Sequence, residues 1–109
     1  MAGAEPLIER ELGLAGGQRL LGRYWLPQRP VVTVTHDGAE LAQLDYGEAS
    51  ASNHWAIRIA HGDRETLLGM PALAGTVPED LERDLSLAEA ILDETLQAVG
   101  AWITAHGSP

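Results

Sequence analysis

Residues 31–46, "VVTVTHDGAELAQLDY", carry the reading that decides the fold. Two runs rich in β-branched and apolar residues flank Asp37-Gly38, a dipeptide that accepts the positive φ angles of a two-residue type I′ turn. An antiparallel hairpin is therefore expected here. Pairing outward from the turn sets His36 opposite Ala39 and Val34 opposite Leu41. Leu44 and Tyr46 then fall out of phase, which calls for a bulge near Ala42-Gln43.

Further strands are expected on both sides of this hairpin. "RLLGRYWL" (19–26) reads as a strand closed by the turn residues of "PQRP". The alternation of "HWAIRIA" (54–60) puts Trp55, Ile57 and Ile59 on one face, toward the core. After "HGDR", the segment "ETLLGM" can return antiparallel until Pro71, which has no N–H to donate. The segment "GEASASN" (47–53) reads as a polar loop. At the N-terminus, Pro6 to Leu14 is expected to be a short helix, with Leu7, Ile8 and Leu12 on one side and Gly16-Gly17 ending it.

Helical signals dominate the C-terminal third. In "TVPEDLERDLSLAEA" (76–90), Thr76 with Glu79 and Ser86 with Glu89 both match the capping box, in which a hydroxyl and a carboxylate three residues on satisfy free helical N–H groups. The second box starts a helix expected over Leu87 to His106, whose stripe is Ala88, Ile91, Leu92, Thr95, Val99, Trp102 and Ile103. Gly100 inside it costs about 1 kcal/mol against alanine, so a close approach of helix to strand is expected there. Gly107 and Pro109 would close the helix. The whole is an α+β fold in one domain, residues 1–109. Its antiparallel sheet has four or five strands in a hairpin meander, with the long C-terminal helix on one face and a short N-terminal helix beside it.

Composition narrows the chemistry. Sixteen acids oppose seven arginines, with no lysine and a formal charge of −9. That balance disfavours nucleic acid and anionic membranes as partners, whose binding rests on cationic contacts, and it suits steering toward a basic protein surface. Cysteine is absent, which removes thiolate metal sites and thiol nucleophiles. No apolar run reaches the ~18 residues of a membrane span, and no secretory signal is legible, so a cytoplasmic setting is expected.

No catalytic motif stands out. His54 and His61 fall on opposite faces of one strand, His36 sits at a turn and His106 at a helix end, so no metal set is expected. Ser50, Ser52 and Ser86 lack a nucleophile-elbow context, and the glycines form no phosphate-cradling loop, so no cofactor is expected. Helix capping accounts for Glu79, Asp80, Glu82, Asp84 and Glu89 on structural grounds alone, since acids favour a helix N-terminus. A docking role for the same cluster rests on the charge surplus. Of the three tryptophans, Trp55 and Trp102 are expected inside, leaving Trp25 with Tyr24 as apolar anchors for a partner.

The C-terminal stretch "LSLAEAILDETLQAVGAWITAHGSP" resembles the end of immunity proteins from bacterial polymorphic toxin systems, in an Ala-rich helix followed by Trp102, Thr104, Gly107 and Pro109. The likeness covers about a quarter of the chain, and the Trp-containing strand common in that family does not follow. It implies a small acidic protein, not an enzyme, that covers a toxin surface.

The function expected is thus that of a non-enzymatic inhibitor of a partner with a basic surface, of toxin-immunity or nuclease-inhibitor type. Glu79, Asp80, Glu82 and Asp84 would pair with its cations, and Trp25 or Tyr24 would anchor it. A homodimer is compatible with this. The alternatives are an acidic secretion chaperone and a small enzyme with a His54–carboxylate pocket between sheet and helix.

Overall fold

In this computed structural model, which describes residues 5–26, 28–47, 54–70, 73 and 75–106, the Asp37-Gly38 turn forms with φ of 54° and 82°. It joins β3 (Val32–His36) to β4 (Ala39–Gly47). Around this hairpin stand β1 (Ile8–Gly13), β2 (Arg19–Tyr24), β5 (His54–His61) and β6 (Arg64–Gly69), followed by α1 (Pro78–Glu82) and α2 (Leu85–His106). The strands form one six-stranded antiparallel sheet in the order β1-β2-β3-β4-β5-β6, so each strand pairs with its neighbour in sequence. The fold is α+β, with a six-stranded meander in place of the expected four or five strands.

The extra strand is β1, where a short helix was expected. Ile8, Arg10 and Leu12 pair across to Tyr24, Gly22 and Leu20, and burial alternates along β1. An arginine in an otherwise apolar column hides the two-residue period from sequence reading. Arg10 is accommodated because Gly22 opposite it has no side chain and because α2 supplies two carboxylates, Glu89 at 3.3 Å and Asp93 at 3.5 Å. Glu89 and Asp93 lie four residues apart, on one helix face. In the central hairpin Val34 pairs with Ala42 and Thr35 with Glu40, leaving Leu41 as the bulged residue. The bulge lies one residue earlier than expected, and it lets both Leu41 and Ala42 be buried.

Burial is confined to one face of the sheet. Leu20, Tyr24, Val32, Val34, Leu44, Trp55, Ile57 and Ile59 all point inward and are buried. The opposite face carries the row Glu9, Arg23, Thr33, Gln43, Arg58 and Leu67, paired strand to strand, and no helix among the described residues covers it. α2 packs across β1, β2 and β3 through Ala88, Ile91, Leu92, Thr95, Leu96, Val99 and Ile103. Trp102, expected in the core, is only half-buried. Gly100 meets the expectation of close approach: a Cβ there would lie 2.9 Å from Leu12 Cδ2 and 3.3 Å from Leu14 Cδ2.

Neither expected capping box forms. Val77 precedes α1, and its N–H donates to the Asp80 carboxylate at 3.0 Å. Asp84 caps α2 by accepting from the N–H groups of Ser86 at 3.0 Å and Leu87 at 3.3 Å, so the helix starts two residues earlier than expected. An aspartate reaches the free N–H groups as well as serine does and adds a charge the helix dipole favours. No helix among the described residues is long and apolar enough to cross a membrane. The polar loop over 48–53, Pro71, the side chain of His54, and Gly107 and Pro109 lie outside the described residues.

Candidate functional site

Trp55 fixes the corner where α1 meets the sheet. Its ring is buried, its Nε1 donates to the Thr76 carbonyl at 2.9 Å, and Tyr46 packs against it with ring centroids 5.2 Å apart. Thr76 is thereby tied to β5, and Pro78, with φ preset for a helical first turn, starts α1 beside the end of β4. Between these elements lies an open cleft of about 460 Å³. Leu26, Tyr46, Val77 and Pro78 give it apolar surface, while Arg29, Glu79 and Glu82 give it charge.

The charges in the cleft are not equivalent. Arg29 donates through Nε to Asp45 Oδ1 at 2.5 Å and through Nη2 to the Tyr46 carbonyl, which occupies the guanidinium from the sheet side. Glu79 and Glu82 form no ion pair among the described residues. They stand three residues apart on α1, a spacing that puts both on one side of a helical turn. Asp80 and Asp84, grouped with them by sequence, are engaged in capping. The expected acidic site therefore divides into two helix caps and two free carboxylates that border the cleft.

The two expected aromatic anchors separate as well. Tyr24 is 1% exposed, a core residue out of reach of a partner surface, because the alternation of β2 turns it to the buried face of the sheet. Its hydroxyl has no hydrogen-bond partner among the described residues. Burial, and secondarily the charge of Glu82, push its pKa from 10.0 to about 12. Trp25 follows on the opposite side of the strand, half-buried, with Nε1 donating to Thr33 Oγ1 at 2.7 Å on the uncovered sheet face. It is not among the residues lining the cleft. The exposed apolar residues flanking the acids are Val77 and Leu85, at 37% and 57% exposure, which sequence reading passed over.

The Tyr24 hydroxyl gives a direct prediction. A folded-state pKa above the unfolded value means that its contribution to stability is intact below pH 10 and is lost as pH rises toward 12. Tyr24→Phe should flatten that alkaline decline in denaturation midpoint. At pH 7 it should cost nothing, or gain about 0.5–1 kcal/mol, because a buried donor without an acceptor is removed. A loss of more than that at pH 7 would mean the hydroxyl has a partner.

The histidines gather elsewhere. His61 meets the edge of Trp102 at 5.6 Å, and His106 stacks on the same indole at 4.5 Å, bonding the Trp102 carbonyl through Nδ1 at 3.0 Å. His36 is largely buried, and its Nε2 is 3.8 Å from Asp37 Oδ2. No three His, Asp or Glu side chains among the described residues converge on a metal position. The region between sheet and α2, where a His54 pocket was considered, holds Leu20, Val34, Leu92, Leu96 and Val99, all nearly or fully inaccessible.

Charge is distributed unevenly between the layers. Residues 77–106 carry seven carboxylates and one arginine, a formal −6 of the total −9, while the rest carry nine carboxylates and six arginines. On the sheet, Glu9, Glu11, Asp45 and Glu65 are each matched by an arginine within 4 Å. The helical layer is the acidic side of the molecule. No protein-family model, curated protein or solved structure matches this chain.

Proposed function

We propose that the protein is a small acidic binding protein that covers a basic surface on a partner protein, in the manner of a toxin-immunity protein or nuclease inhibitor. The observation that carries this reading is the concentration of unpaired carboxylate on one layer, at Glu79 and Glu82 beside the cleft, next to exposed Val77 and Leu85. A basic partner would release the mutual repulsion of those carboxylates, and the two apolar side chains would give its footprint a dry centre. Tyr24 has no contact role here, and Trp25 would contribute only if the footprint wraps onto the sheet face.

The test is affinity capture of the partner from the native host, followed by association kinetics. Glu79→Gln with Glu82→Gln should slow association about tenfold at low salt and reduce its salt dependence, with the denaturation midpoint unchanged. Asp84→Asn, which alters a cap, should instead lower stability by up to about 1 kcal/mol. Association that ignores the double substitution at every salt concentration would remove the proposal.

A further inference from the structure

We infer that the cleft between α1 and the end of β4 is a socket for one arginine side chain of the partner, an inference that rests on the binding-protein reading above. Several features fit one another here. The apolar surface of Leu26, Val77 and Pro78 suits the aliphatic stem of a long side chain, and Tyr46 adds an aromatic residue to the lining. Glu79 and Glu82 present two carboxylates with no cation of their own among the described residues, while Arg29, the one cation among the described residues lining the cleft, is held by Asp45 and the Tyr46 carbonyl. The cleft thus keeps two uncompensated negative charges. A planar guanidinium can face two carboxylates at once and lie against an aromatic ring, whereas an ammonium is a strongly hydrated point charge.

A small probe separates this socket from the broader reading. The full-length chain, labelled with 15N, is titrated with N-acetyl-arginine amide and with its neutral isostere N-acetyl-citrulline amide. The arginine probe should give saturable shifts at Tyr46 and over Val77–Glu82, with millimolar affinity as befits one side chain. The citrulline probe should bind at least about tenfold more weakly, and Glu79→Gln or Glu82→Gln should weaken the arginine probe by a similar factor while leaving the other amide resonances in place. Equal shifts from both probes, or none at these residues, would overturn the socket. If a captured partner still depends on Glu79 and Glu82 while the probe leaves the cleft unmoved, the socket alone falls; if neither responds, both readings fall.

Discussion

Gly22→Val is expected to destabilise the fold by about 2–3 kcal/mol, near the top of the range for overpacking a core. A Cβ at this position would lie 2.9 Å from both Cγ and Cδ2 of Leu96 and 3.0 Å from Leu92 Cδ1. Cγ is not a free end, so rotation of a methyl group does not relieve the contact. Leu92 and Leu96 are buried, and α2 would have to lift from β2. Lifting it would also draw Glu89 and Asp93 away from Arg10, leaving that inward-facing cation less well paired. Chemical denaturation measures the loss. Adding Leu96→Ala to Gly22→Val should recover part of it, whereas Leu96→Ala alone should cost about 2–5 kcal/mol. Strictly additive losses in the double variant would show that the glycine is not there to admit the helix.

Trp55→Ala should have the larger consequence for the site. Truncating a buried tryptophan costs about 3–5 kcal/mol, and here the loss includes the bond to the Thr76 carbonyl and the support under Tyr46. Trp55→Phe keeps most of the apolar volume but removes the N–H donor. It should cost about 1–2 kcal/mol, with faster hydrogen exchange over the first turn of α1. Exchange at β1 and β2 should stay as slow as global stability allows, because that half of the sheet is held by α2. Since Tyr46, Val77 and Pro78 line the cleft, Trp55→Phe should also weaken whatever binds there. Uniform acceleration across all strands would place Trp55 in the global core without a special hold on α1.

The division of the acids shows why a charge cluster is hard to interpret from sequence. Glu79, Asp80, Glu82 and Asp84 look alike along the chain, yet two are committed to backbone N–H groups and two are not. Which carboxylate caps depends on where the helix begins, and a shift of one or two residues reassigns every role. Both helix starts shifted here: Val77 precedes α1, with its N–H held by Asp80 inside the first turn, and Asp84 caps α2 in place of Ser86.

Local chemistry determined much of this protein. The Asp37-Gly38 turn, the alternation of Trp55, Ile57 and Ile59, the long apolar stripe of α2 and the close approach at Gly100 were all legible, since each rests on neighbours in sequence or on backbone preference. Tertiary structure alone decided that Pro6 to Leu14 yields a strand, because Arg10 is tolerable in an inward column only when Gly22 and two helix carboxylates meet it. It also placed Tyr24 inside and drew Arg29 and Tyr46, remote in sequence from α1, into one cleft with Glu79 and Glu82. A pattern within one segment reports which face is apolar, but the solvation and pairing of a charge depend on groups that only folding brings within a few ångströms.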